Sequence, residues 1–112
     1  MEEKEKITIC HAGITEQERN KLKDLVTLFK TKYNQPKMTF TLVIETLIDN
    51  IENFAHYNLK KPVQNGKFSI LKIYANDQLN EKINHEMNKK MRDKSNLVRW
   101  LINVAHEIEF NK

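Results

Sequence analysis

The sequence predicts a mainly helical α+β fold in which two strands form one antiparallel ribbon packed on four helices. Short segments rich in β-branched residues occur twice, at 4–10 and 68–75. Each is followed by two stretches whose apolar residues recur at helical spacing. A polar stretch with one proline and one glycine, residues 58–66, separates the halves and reads as a linker. We therefore expect two strand-helix-helix units, 1–57 and 67–112, within a single domain, 1–112.

The composition is that of a folded, polar domain. The chain has 112 residues, of which 39% are hydrophobic and 30% are charged, a size typical of one domain. Its first residues, MEEKEK, are charged where a secretory signal needs an apolar run. No apolar run approaches the roughly 18 residues of a membrane span. These features predict a cytoplasmic protein without membrane contact.

The reactive residues give no pattern of catalysis or metal binding. Cys10 is the only cysteine, so an intrachain disulfide and a four-cysteine zinc site are excluded. The four histidines are spread without the pair spacing of a helical metal site. Neighbouring strand residues point to opposite faces, so Cys10 and His11 cannot form an activated pair. We expect no enzyme activity, no metal, no cofactor and no small-molecule ligand.

The first half reads as a strand and two helices. The strand, Lys4–Cys10, should end before Gly13. Residues 15–18, TEQE, match a capping box, which predicts a helix from there to about Tyr33. Pro36 breaks that helix, and Thr39 is placed to cap a second helix from Phe40 to about Tyr57.

The second half repeats this order. The strand 68–75 precedes Asn76, which can cap a helix carrying Leu79, Ile83 and Met87. A turn at Met91-Arg92 leads to a last helix, capped by Asp93 and running to about Phe110. The final helices of the two halves align at an offset of 54, and the first helices align by their caps at about 61. A strand needs a partner, so we expect the two halves to pair their strands about an approximate two-fold axis.

This order, with a last helix that opens as KSNLVRWLI, resembles the ribbon-helix-helix family of DNA-binding proteins, to which Arc and the methionine repressor belong. Members are normally homodimers of one strand-helix-helix unit. The resemblance covers nearly the whole chain twice, so it implies a tandem, single-chain version of that dimer. The second half is the more typical one, and the first differs in its long first helix and in Gly13.

The resemblance implies that the last helix of each unit holds the DNA backbone through its N-terminus. Free N–H groups and the positive end of the helix dipole suit a phosphate there. In this sequence the phosphate-binding residues would be Thr39, Phe40, Thr41, Lys94 and Ser95.

The resemblance also implies that the ribbon reads base edges in the major groove. Placing Lys72 outward sends Ile70 and Tyr74 to the groove and Leu71 and Ile73 inward, because the opposite register would bury a lysine. Two registers are open for the first strand. The preferred one turns Ile7 and Ile9 inward, whereas a bulge at Gly13 would expose Ile7, Ile9 and His11. With the preferred register, the base-reading residues are Lys6, Thr8, Cys10, Ile70, Lys72 and Tyr74.

The charge distribution agrees with a polyanionic partner. Residues 1–58 carry eight basic and nine acidic side chains, whereas residues 59–112 carry eleven and six. The family implies sequence-specific binding of double-stranded DNA, either as a transcriptional repressor or as an accessory (relaxosome) protein at a plasmid transfer or maintenance site. It also implies that further copies can bind adjacent sites. The alternative is a helical protein–protein interaction module that does not bind DNA.

Overall fold

The computed structural model describes residues 6–54, 56–60, 66–90 and 92–110. As predicted, it has an α+β fold with one two-stranded antiparallel sheet and four helices. In chain order the elements are β1 (Thr8–Thr15), α1 (Glu16–Lys32), α2 (Phe40–Asp49), a 3-10 turn (Ile51–Asn53), β2 (Phe68–Ala75), α3 (Asp77–Lys90) and α4 (Lys94–Phe110). The first two residues of the expected strand, most of the expected linker and Met91 lie outside the described residues.

The ribbon is one uninterrupted ladder of eight residue pairs, from Thr8 with Ala75 to Thr15 with Phe68. The predicted end of β1 before Gly13 was wrong, because the strand continues to Thr15. Gly13 has an ordinary negative φ and pairs with Ile70, so it makes neither a break nor a bulge. A full-length partner strand explains this outcome, since each additional residue of β1 gains a place in the ladder.

The first helix follows its local signals. The Thr15 hydroxyl accepts from the Glu18 N–H at 3.2 Å, and the Glu18 carboxylate accepts from the Thr15 N–H at 2.9 Å, which completes the predicted capping box. The helix ends at Lys32, with Tyr33 as its C-cap.

The second helix is shorter than predicted. It begins at Phe40, where the Thr39 hydroxyl accepts from the Leu42 N–H at 3.2 Å. It ends at Asp49 because Asn50 leaves the helical conformation, at φ −109° and ψ 17°, and its side-chain amide donates to the Thr46 carbonyl at 2.8 Å. An amide that bonds to the backbone in this way competes with continuation of the helix.

Helices α3 and α4 start at the predicted caps. The Asn76 side chain accepts from the Leu79 N–H at 2.8 Å, and the Asp93 carboxylate accepts from the Asn96 N–H at 2.7 Å. Among the described residues, no helix is both long and apolar enough to cross a bilayer.

The core lies between the inner face of the ribbon and the four helices. Both strands contribute to it, through Cys10, Ala12 and Ile14 from β1 and Leu71, Ile73 and Ala75 from β2. The central apolar residues of the helices are buried with them, including Ile48 and Leu101. The opposite face of the ribbon is therefore left for solvent or a partner.

Candidate nucleic-acid interface

Strand β2 has the predicted register. Ile70, Lys72 and Tyr74 are exposed, whereas Leu71 and Ile73 are buried. The cost of burying an ammonium group therefore correctly decides the orientation of this strand.

The preferred register of β1 was wrong. Cys10 is only 3% exposed, and its thiol lies 3.7 Å from the Asn80 side-chain oxygen, so it cannot contact a ligand on the outer face. Ile7, Ile9 and His11 are exposed instead. The cause is the pairing: residues directly opposite each other share a face, and His11 lies opposite the outward Lys72. This orientation needs no bulge at Gly13.

The two other predicted base-reading residues of the first half lie at the edge of this surface. Thr8 is on the same side of β1 as Cys10 and is exposed because it is the first residue of the strand. Lys6 precedes the strand and is exposed. Neither belongs to the paired outward positions of the ladder.

We call the exposed side of the ladder the outer ribbon face. Its central row is His11 beside Lys72, with Ile9–Tyr74 on one side and Gly13–Ile70 on the other. Phe68 extends it at one end and Ile7 at the other. The strand segments that build it, 6–13 and 67–75, contain three lysines and no aspartate or glutamate. The face is therefore apolar and basic.

The N-terminus of α4 lies at the open edge of β1. The Ser95 hydroxyl accepts from the Gly13 N–H at 2.9 Å, which fixes the first turn of α4 beside the ribbon. A hydroxyl that accepts one bond still has its own proton to donate. Lys94 is partly exposed in the same turn.

The N-terminus of α2 lies at the open edge of β2 in the same manner. The Thr41 hydroxyl accepts from the Tyr74 N–H at 3.0 Å. Phe40 packs against the core, and the exposed Thr39 caps the helix. A depression of about 510 Å³ separates this helix start from Lys72 and Tyr74. The structure thus brings all five predicted phosphate-binding residues to the two edges of the ribbon.

A buried polar cluster that the sequence did not reveal lies behind one end of the ribbon. Glu18, 2% exposed, accepts from Arg99 Nε at 2.9 and 3.0 Å and from the Asn103 amide at 2.7 Å. The Arg99 guanidinium also lies over the Phe68 ring, 4.9 Å from its centre. Burial raises the pKa of Glu18, but the hydrogen bonds from Thr15, Arg99 and Asn103 outweigh it, so the pKa is lowered. The carboxylate is therefore held ionised between α1 and α4.

A second arginine reaches the ribbon from α1. The Arg19 guanidinium donates to the Ser69 hydroxyl and to the Ile70 carbonyl, both at 3.0 Å. Neither arginine was among the predicted site residues. An Asn103 set within an apolar helical run is the sequence feature that could have indicated a buried polar contact at α4.

Within the part of the chain that the structure describes, no group of three or more His, Cys, Asp or Glu side chains could hold a metal ion. Comparison of the chain with protein-family models, curated proteins and solved structures found no match.

Proposed function

We propose that this chain is a sequence-specific double-stranded DNA-binding protein of the cytoplasm that inserts its ribbon into the major groove. One observation carries the proposal: an outward β-ribbon face without carboxylates lies between two helix N-termini. A two-stranded ribbon fits the roughly 12 Å wide major groove of B-DNA. The helix N-termini, with the partly exposed Lys94, then lie where phosphates flank the groove.

We also propose that the two halves are tandem units that together replace a ribbon-helix-helix dimer. The hydrogen bonds at the ribbon edges support this. Thr41 and Ser95 are 54 residues apart, and their partners Tyr74 and Gly13 are 61 apart, which are the offsets that align the two halves. Each hydroxyl contacts the strand of the other half. The central pair, His11 and Lys72, is also separated by 61 residues, as expected at a two-fold axis through the ribbon.

Side-chain packing gives independent support for the tandem arrangement. Lys21 donates to the Asn103 amide oxygen and Lys82 pairs with Asp49, each at 2.8 Å, and these partners differ by the same two offsets. Residues aligned at 54 also agree in burial. The pairs are Val43 and Leu97, Ile44 and Val98, Leu47 and Leu101, Ile48 and Ile102, Ile51 and Ala105, Phe54 and Ile108.

The biological role follows from the position of the target site. A site at a promoter would make the protein a transcriptional repressor, whereas a site at a transfer or replication origin would make it a plasmid accessory protein. Nuclease protection of the DNA around its own gene distinguishes these roles.

The rival function is a protein-interaction module, and the apolar character of the outer ribbon face favours it. Ile9, Phe68, Ile70 and Tyr74 are each about half exposed there. Salt dependence separates the two functions. A DNA complex loses affinity steeply with salt because phosphate contacts release counterions, whereas an apolar protein interface does not.

The test compares two lysine variants on two DNAs. Lys72→Ala should cost about 1–3 kcal/mol on a duplex selected from a random library and much less on random DNA, because a lysine in the groove can reach guanine O6 or N7. Lys30→Ala, an exposed lysine in the last turn of α1, is the control and should change neither affinity. Gel shifts at rising salt give both quantities. Absence of DNA binding, or binding that ignores salt, would refute the function.

A further inference from the structure

The outer ribbon face carries an unusual share of the chain's exposed apolar surface. Eight large hydrophobic residues of the described chain are exposed. Five of them, Ile7, Ile9, Phe68, Ile70 and Tyr74, belong to the two strand segments. Contiguous exposed apolar surface of this kind generally marks an interaction site. It needs a partner that offers apolar groups as well as negative charge.

We infer that the ribbon recognises thymine methyl groups, with Ile9 and Ile70 as the side chains that read them; this rests on the proposed DNA-binding function. In the major groove, thymine is the base that presents a methyl group, and apolar side chains contact it. Ile9 is 47% and Ile70 57% exposed, so both side chains are available for such a contact. Lysine and histidine between them meet hydrogen-bond acceptors rather than methyls.

The ladder places these two isoleucines symmetrically. Each lies one row from the central His11–Lys72 pair, on opposite sides and on opposite strands. Rows on one face of a strand are about 6.8 Å apart, which is about two base-pair steps of 3.4 Å. The preferred target therefore has two thymines about four base pairs apart, with a guanine between them for Lys72.

A second copy of the chain fits this face less well. Two ribbons packed face to face about their centres would bring Lys72 of one copy towards Lys72 of the other, with no carboxylate in either strand segment to compensate. Double-stranded DNA supplies phosphates on both sides of the same apolar groove floor, which matches the lysines and the helix N-termini. Charge complementarity thus favours DNA as the occupant.

The experiment uses the full chain and a duplex selected from a randomised library. Each thymine is replaced in turn by deoxyuridine, which removes only the methyl group. We expect a loss of about fourfold in affinity at each of two thymines, the effect of one buried methyl. Replacement at other thymines should change affinity less than about twofold.

Two protein variants show whether these side chains are responsible. Ile9→Ala should abolish the deoxyuridine effect at one thymine and leave the other, and Ile70→Ala should do the reverse, so each is the control for the other. Both residues are exposed, and thermal unfolding checks that each variant is folded. Salt-dependent binding of the selected duplex without any deoxyuridine effect would overturn the inference and leave the proposed function standing. Methyl effects that persist in both variants would also overturn it, because they would report DNA shape.

Discussion

Glu18→Gln should be one of the most destabilising single-atom changes in this protein. The Glu18 carboxylate accepts hydrogen bonds from the Thr15 N–H, the Arg99 guanidinium and the Asn103 amide, and it is 2% exposed. A glutamine replaces one acceptor oxygen by an NH₂ donor, which would then face another donor. It also leaves Arg99 without its counter-charge. Breaking a buried ion pair in this way costs about 3–5 kcal/mol.

The assay is urea unfolding followed by circular dichroism. The matched control is Glu52→Gln, because Glu52 pairs with Lys89 at 3.0 Å while its side chain is 72% exposed. A surface pair of this kind contributes less than about 1 kcal/mol. The same chemical change should therefore have very different effects at the two positions, and similar losses would contradict the buried-pair explanation.

The pH dependence has a definite sign. The pKa of Glu18 in the folded chain is lower than in the unfolded chain, so its contribution to stability is present above the unfolded value of about 4.5 and is lost as the pH falls through the folded value. The difference in unfolding free energy between wild type and Glu18→Gln should accordingly shrink below about pH 4.5. A loss under 1 kcal/mol at pH 7, or a difference that stays constant to pH 2, would refute the assignment.

Three further perturbations test the core and one edge of the ribbon. Leu101→Ala should lower the free energy of urea unfolding by about 2–5 kcal/mol, because Leu101 is fully buried and a cavity would remain; a loss below 1 kcal/mol would remove it from the core. Lys94→Ala should weaken selected and random duplexes alike in gel shifts, with an effect that fades as salt rises; a loss confined to the selected duplex would make it a base contact instead. Asp93→Ala should lower the unfolding free energy by about 0.5–2 kcal/mol through the lost cap at α4, and an unchanged melting curve would argue against that cap.

The helix starts could be predicted from sequence because their determinants are local. Each cap and its acceptor lie within three residues, as with Thr39 and Leu42 or Asn76 and Leu79. The end of α2 is also local in origin. Asn50 terminates the helix through a bond to Thr46, but asparagine occurs in many helices, so its effect was not apparent from the residue type alone.

The orientation of β1 could not be predicted from its own sequence. Isoleucines at 7 and 9 look like core residues, whereas Cys10 and Ala12 are small and give a weak apolar signal. The deciding fact is long-range: β1 pairs with a strand 61 residues away whose orientation a lysine determines. Glu18 and Arg99 were missed for the same reason, since their contact spans 81 residues.

The hydroxyls of Thr41 and Ser95 connect the two parts of the proposed interface. Each was predicted from sequence as a phosphate ligand, and each also accepts a backbone N–H from the open edge of the ribbon. A ribbon edge has unpaired N–H groups, so these bonds satisfy two of them and fix the distance between helix start and strand. Base-reading and phosphate-binding groups are thereby held in one rigid frame. It follows that the ribbon and the two helix starts must dock on DNA together, and that a change at either hydroxyl should alter the spacing on which sequence recognition depends.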